Sequence, residues 1–564
     1  MKTLIIGGVA GGASAAARLR RLDEKAQIVM LERGEYISYA NCGLPYYIGG
    51  EITDREELTL QTPASFQARF GVDVRVRHEA LAIDPARKVV KVRDLAQETE
   101  YEEAYDALIL SPGAEPVLPP LPGIRDSRVF TLRTIPDTYR IHEHIQKARP
   151  KTAVVVGGGF IGLEMAENLM RAGVSVTVVE FADHVIGPLD YDMACQVHRY
   201  LKEQGVRLLL GRGVKAFHPG EGGLGVELTS GETLEADMAL MSVGVRPDTG
   251  LAQSAGLRTN PRGALLVDAH MRTSEEHIYA VGDAVEVLHW VSGAPAYIPL
   301  AGPANKQGRI AADNIAGLGS QYKGSQGSSI LKLFDMTVAV TGLGEAAAKA
   351  AGLDYDVALT YSASHASYYP GAANISIKTL FEKGSGRILG AQLVGFEGVD
   401  KRCDVLATAI RARMTAYDLM ELELCYAPPF SSAKDPVNMA GFVIENLLTG
   451  KARQFQWHEV EALKKDPNAL LLDTRTDGEY AEGHIPGSLH IPVDSLRERL
   501  SELDSSKTLY VYCQSGLRSY IACRILAQNG FDCLHLAGGY RFYEMVLGES
   551  GFDCEPTHPC GLKK

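Results

Sequence analysis

One local pattern occurs twice in this chain and restricts its fold more than any other feature. Thr3–Ile6 is a short β-type apolar run, Gly7–Gly12 is glycine-rich, Ala13–Leu22 favours helix, and Gln27–Leu31 is a second apolar run ending on Glu32. The copy runs Thr152–Val156, Gly157–Gly162, Leu163–Ala172 and Ser175–Val179, ending on Glu180. Each is a strand–turn–helix–strand unit that closes on an acid, the grammar of a parallel dinucleotide-binding sheet. Two units imply two dinucleotides.

In the second unit, Gly157, Gly159 and Gly162 make a full G-x-G-x-x-G. The first permits the tight turn, the second lets backbone approach a pyrophosphate, and the third lets helix and strand pack closely. Glu180, 18 residues after Gly162, is placed to accept hydrogen bonds from an adenosine ribose. A carboxylate there favours NADH and repels the extra phosphate of NADPH. In the first unit Gly7 and Gly12 hold the outer positions, Val9 stands between them, and Glu32 follows. The usual pairing is FAD in the first unit and NAD(P)H in the second. Ile278–Ala284 resembles the second FAD fingerprint of two-dinucleotide-domain flavoproteins, in which Asp283 accepts from the ribityl chain. Ser111-Pro112-Gly113-Ala114 resembles a variant of that family's A-T-G turn. Arg33, Gly244 and Ala301 complete the expected cofactor-binding set.

A chain of 564 residues is too long for one core and suggests roughly three to four domains. The FAD unit is expected at 1–150 and again at 266–325, with the NADH unit at 151–265 between them. An α+β region of alternating apolar residues follows at 326–448, and Gly450 to Gln456 reads as a linker. Further strands are expected at Ala107–Leu110, Ala239–Val243 and Ile278–Val281. From 449 to 564, Leu470–Leu472, Thr508–Tyr512 and Cys533–Leu536 are short strands among helical stretches, a small α/β domain with a tail. A net charge of −12 argues against a general nucleic-acid binder. No apolar run is long enough for a membrane span. The nine cysteines are odd in number and widely spaced, and no secretion signal precedes them, so reduced cytoplasmic thiols are expected. Cys554, His558 and Cys560 of the tail do not provide four evident ligands, and no metal is expected.

Cys42 lies just after the first unit, in Asn41-Cys42-Gly43-Leu44-Pro45-Tyr46-Tyr47. Disulfide reductases of the glutathione type carry two cysteines here, and this chain has Tyr47 where the second would be. A single thiol must pair with a substrate thiol, a sulfenic oxygen or a persulfide sulfur. To attack, it needs a lowered pKa, which helix-terminal amides and the flavin would supply. Residues 1 to about 448 resemble the coenzyme A-disulfide reductases. The resemblance rests on GGVAGG at Gly7–Gly12, the NCGLPYY segment, Ser364–Gly371 and Tyr426-Ala427-Pro428-Pro429. It implies a glutathione-reductase-type fold with a C-terminal α+β dimerisation domain, and a homodimer in which Tyr368 and Tyr426 approach the partner's active cysteine to protonate a leaving thiolate. It also implies coenzyme A contacts at Ser14, Arg18, Arg21, Ser38, Asn41, Asn305 and Lys434. Arg18 and Arg21 share a helix face and suit the phosphates of a polyanion.

Residues from about Gln454 to Glu549 resemble single-domain rhodaneses. The match rests on Asp473-Thr474-Arg475, on Glu479–Ser488 with its G-H-I-P-G core, and on Cys513-Gln514-Ser515-Gly516-Leu517-Arg518. The last is C-x4-R. Its amides can wrap a persulfide sulfur while Arg518 closes the loop electrostatically, and a phosphatase loop would be one residue longer. Together the halves resemble coenzyme A-disulfide reductase–rhodanese fusions. Such an enzyme uses NADH and FAD to reduce persulfide, polysulfide or coenzyme A disulfide at Cys42, with Cys513 carrying sulfane sulfur. The alternatives are an NADH oxidase or peroxidase working through a Cys42 sulfenate, and a redox-sensing sulfur carrier. The related peroxidases place a His in the first glycine turn, where this chain has Ala10.

Overall fold

A computed structural model describes residues 1–549; Cys554, His558 and Cys560 lie outside the described residues. The chain falls into two compact bodies, Met1–Val179 with Arg212–Gly327, and Glu180–Gly211 with the chain from Ser328 on.

The first body is built on two parallel sheets. One contains β1 (Lys2–Ile6), β2 (Gln27–Glu32), β3 (Asp73–Val76), β4 (Ala107–Leu110) and a strand at Ile278–Ala280. Their order places the last strand beside β4, then β1, β2 and β3. Helix α1 (Ala10–Leu22) connects β1 to β2, and Leu44–Ile48 forms α2. Strands covered on both faces read as unbroken apolar runs, and all four residues of β4 are buried. The second sheet holds β5 (Val129–Phe130), β6 (Thr152–Val156), β7 (Ser175–Val179) and β8 (Met238–Met241), paired β7 to β6, β6 to β8 and β8 to β5. Helix α3 (Phe160–Arg171) joins β6 to β7. The strand expected at Ala239–Val243 ends earlier, because the Ser242 hydroxyl turns back onto the Val156 and Gly157 carbonyls. With β9 assigned to Ile278–Ala280, helix α4 (Ala301–Ile315) packs on α1.

The second body has an antiparallel sheet of β10 (Ser329–Leu333), β11 (Met336–Gly342), β12 (Tyr355–Ala363), β13 (Asn374–Glu382) and β14 (Ile388–Gly395). Its order is β10-β11-β14-β13-β12. The helices at Val399–Arg411 and Pro436–Leu448 cover it. Helix Tyr191–Glu203 belongs to this body and brings a buried charge cluster. Lys378 Nζ lies 2.8 Å from Asp192, 3.0 Å from Asp190 and 2.5 Å from Glu345. Desolvation opposes the ammonium, but the three carboxylates outweigh it and hold Lys378 well above its ordinary value. Burial pushes Asp192 up to about 7 despite that cation.

The second body also has a parallel sheet: β15 (Gln454–Phe455), β16 (Ala469–Asp473), β17 (Leu489–His490), β18 (Thr508–Tyr512) and β19 (Cys533–Leu536), in the order β15-β19-β18-β16-β17. The stretch Gly450 to Gln456 is therefore not a free linker. Phe455 is buried, meets Tyr510 edge-on at 5.1 Å, and pairs with Leu536 in the sheet. Gln454 Nε2 donates to the Val357 carbonyl at 2.6 Å, tying this edge to β12. No helix among the described residues is long and apolar enough to cross a membrane.

Candidate functional site

Both glycine turns are sterically committed. Gly7 has φ +98° and Gly157 φ +107°, a region L side chains rarely enter. A Cβ on Gly12 would lie 1.9 Å from the Gly7 carbonyl oxygen, and one on Gly162 would lie 2.0 Å from that of Gly157. Neither α1 nor α3 has a side-chain cap or an acid in its first turn, which suits their positive ends to an anion, although the Gly12 amide of α1 already donates to Ser111 Oγ at 3.1 Å. Gly159 has open space where a side chain would stand. These cradles fit the pyrophosphates of FAD and NADH.

Glu32 is locked at the end of β2: its carboxylate accepts from Gly8 N at 3.0 Å and from Gly34 N at 2.8 Å. Glu180 follows β7 directly and accepts from Ala182 N at 2.8 Å. Asp283, on the turn after β9, pairs with Arg133 at 2.9 Å. Arg133 was not singled out from the sequence; nothing but its place before a Thr134-capped helix distinguishes it there. Arg33 pairs with Asp248 at 2.8 Å. Ala301 opens α4, and Gly244 takes φ +106°.

Cys42 sits on a single 3-10 turn, Asn41–Gly43, that runs into α2. Its residue reaches solvent, yet protein surrounds most of the sulfur. That desolvation, with Glu164 and Asp283 nearby, pushes the thiol up, and Arg133 opposes them. The lowering expected from helix-terminal amides is not met by the protein's own groups: α2 has only five residues, and burial and two carboxylates outweigh it. Tyr47 is a buried ring packed against Tyr139 at 5.9 Å and His142 at 5.0 Å. Cys42 is the only cysteine of the first body.

Five of the seven residues expected to contact coenzyme A line one cleft of about 390 Å³: Ser14, Arg18, Arg21, Ser38 and Asn305. The Ser14 hydroxyl donates to Asn305 Oδ1, and Arg18 pairs with Asp313 at 2.7 Å. Ser38 takes φ +46°, a strained value for a residue with a side chain. The sequence reading missed Arg69, Arg309, Phe66 and Phe70 in the same cleft. Phe66, Arg69 and Phe70 follow i, i+3, i+4 spacing on helix Pro63–Phe70, which was the available signal. Asn41 is outside this lining; its amide meets the Arg133 backbone and guanidinium. Lys434 belongs to the second body, where its carbonyl accepts from the Ser432 hydroxyl.

In the second body the hydroxyls of Tyr368 and Tyr426 hydrogen-bond at 2.9 Å, and both rings are exposed. Tyr369 and Phe430 also expose their rings. The rhodanese-like loop holds Cys513 at 1% exposure. The Gly516 amide donates to its sulfur at 3.1 Å, and the Ser519 hydroxyl lies 3.5 Å away at the start of helix Leu517–Gln528. Arg518 stands beside this sulfur, but its guanidinium is gripped by both Glu479 oxygens at 2.7 Å. The loop is thus closed through an ion pair rather than by a free cation. The Arg518 bonds hold the Glu479 carboxyl at about 2. No group of three metal-binding side chains converges among the described residues.

Three family models match. Residues 1–308 match the pyridine nucleotide-disulphide oxidoreductases, 328–436 the dimerisation domain of that family, and 456–545 the rhodanese-like domain. A coenzyme A disulfide reductase of Staphylococcus epidermidis is 34% identical over 442 residues, 78% of this chain and 99% of that protein. The reduced Bacillus anthracis CoADR-RHD crystal structure superposes with a TM-score of 0.95 at 48% identity, covering 97% of this chain and 98% of that one. An NAD-dependent persulfide reductase from A. fulgidus superposes at 0.90 with 39% identity, covering 96% and 100%.

Proposed function

Given that this chain belongs to the pyridine nucleotide-disulphide oxidoreductase family and carries a rhodanese domain behind its dimerisation domain, we propose that it reduces persulfide, polysulfide or coenzyme A disulfide with NADH. The observation that carries this reading is Cys42: a solvent-reaching thiol, the sole cysteine of a body that also holds a cleft lined with arginines. With no second thiol in the first body, Cys42 is left to make its disulfide with a substrate sulfur.

Bound FAD and NADH would supply the electron pair, and the two glycine turns with Glu32, Asp283 and Glu180 are the residues that would hold them. The residues do the rest. The Cys42 thiolate displaces RS⁻ from RSSR′ and keeps SR′; two electrons return the thiolate and release R′S⁻. From a persulfide the released sulfur is hydrosulfide. Arg18 and Arg21 would hold the phosphates of a coenzyme A substrate, with Ser14, Ser38 and Asn305 fixing its polar arm. Tyr368 and Tyr426, paired through their hydroxyls, suit proton delivery to a leaving thiolate in a homodimer. Cys513 would take up sulfane sulfur as its own persulfide, cradled by the Gly516 amide, and pass it towards Cys42 or a coenzyme A thiol.

The deciding experiment is steady-state NADH oxidation with persulfide, polysulfide, coenzyme A disulfide, oxygen and peroxide. Turnover should be fastest on one of the first three. Faster turnover on oxygen or peroxide would replace this reading with sulfenate chemistry at Cys42.

A further inference from the structure

Glu164 lies on α3, the helix that opens with the second glycine turn, and yet its charge acts on the redox thiol. Tyr46, four residues beyond Cys42, directs its hydroxyl at Glu164 Oε1 across 3.4 Å. We infer that Glu164 is a positioning residue for Cys42: it binds a proton when Cys42 becomes a thiolate and gives it up when Cys42 is capped by a substrate sulfur. This rests on the reading of Cys42 as the nucleophile.

Two neighbouring acids that are partly desolvated share one negative charge more easily than two. The groups facing Glu164 are Cys42 and Tyr46 from the turn and α2, and Glu167 on its own helix. Glu167 is drawn off by Arg171, which also pairs with Glu51. The strands beneath α3, Thr152–Val156 and Ser175–Val179, contain no ionisable residue. The groups facing Cys42 are Glu164, Asp283 and the single cation Arg133, itself paired with Asp283. Burial first, with Glu167 adding to it, pushes Glu164 up to about 7, against the Tyr46 bond that lowers it. Tyr46 is pushed up to about 12 and stays a donor throughout.

The step balances. Reduction of Cys42–S–SR′ by two electrons gives Cys42–S⁻ and R′S⁻, which leaves as R′SH after taking one proton. The new charge on Cys42 draws a second proton from solvent onto the Glu164 carboxylate. Attack of Cys42–S⁻ on the next RSSR′ moves the negative charge to the departing RS⁻, and Glu164 releases its proton, which leaves with that thiolate.

The test is alkylation of Cys42 by iodoacetamide in the reduced, flavin-loaded full chain from about pH 5 to 10, followed on the Cys42 peptide. The wild type, Glu164→Gln and Tyr46→Phe are compared. Below about pH 6 the first two profiles should coincide, because Glu164 is protonated there. Near pH 8 the Glu164→Gln thiol should react roughly fivefold faster, freed of the adjacent carboxylate. Tyr46→Phe, which removes the lowering bond, should move the wild-type break to higher pH. Superimposed profiles for all three would overturn the inference while leaving the role of Cys42 intact. NADH-driven disulfide reduction surviving Cys42→Ser would instead overturn the reading beneath it.

Discussion

His198 shows how one residue sets a pH limit. It is fully buried, and its Nε2 accepts from the Val185 amide at 3.2 Å, so the fold requires a neutral ring. Burial drives its pKa down to about 3. A histidine held below its unfolded value binds fewer protons in the native state than in the unfolded one. Its stabilisation is therefore complete above about pH 6.5 and falls as pH drops towards the folded value, by up to about 1.4 kcal/mol per unit. Urea unfolding at about pH 7.5 and 5.5 should show the wild type losing more stability than His198→Gln; equal losses would assign the acid sensitivity elsewhere. Of the two arginines that α1 places in the cleft, Arg21 is the less encumbered, since Arg18 is paired with Asp313. Arg21→Ala should raise KM for coenzyme A disulfide roughly tenfold, the scale of one lost charge-assisted phosphate contact, and leave small persulfides unaffected. Equal effects on both substrate classes would remove the cleft from substrate binding. The sequence exposed the backbone-driven residues well. Gly7, Gly12, Gly157 and Gly162 stand at fixed spacing because backbone geometry allows nothing else. The cleft was half legible: α1 announced Arg18 and Arg21, whereas Arg309 arrives from a helix nearly three hundred residues later in the chain, and no spacing within one element could reveal it.

At the scale of elements, the first glycine turn, where β1 hands over to α1, is among the tightest joints. A Gly12→Ala methyl would collide with backbone rather than with a side chain able to turn away. Purified Gly12→Ala should contain substantially less flavin than wild type, read from absorbance per chain; full occupancy would show that the turn can open. The rhodanese loop illustrates a different limit. Its Cys513 and Arg518 are evident from spacing, but the guanidinium's partner, Glu479, comes from the other half of the motif across the sheet. The edge strand Gln454–Phe455 was read as linker because two residues are too few to show a period. Only the burial of Phe455 against Tyr510 makes it part of a domain.

At the scale of the whole molecule, the exposed pair Tyr368–Tyr426 and the dimerisation domain argue for sites completed between subunits. Mixed dimers of a Cys42→Ser chain and a Tyr426→Phe chain should regain one wild-type site each. Activity no higher than in the parent variants would mean that each subunit works alone. The rhodanese domain should act upstream of reduction. Cys513→Ser should leave flavin reduction by NADH untouched, abolish sulfurtransferase activity, and slow only acceptors whose sulfur must first be transferred. Loss on every acceptor would make Cys513 an obligatory relay, and loss on none would uncouple the two catalysts.

The buried Lys378 cluster imposes an order on synthesis. Asp192 leaves the ribosome 186 residues ahead of the lysine that neutralises it. Until β13 has emerged, Asp192 of helix Tyr191–Glu203 and its cap Asp190 must stay in water, and the helix's apolar face cannot close over them. The second body therefore cannot finish folding as it is made, while β6, α3 and β7 ahead of it already can. A nascent chain halted before Lys378 should resist protease over Met1–Val179 and be cut within Glu180–Gly211.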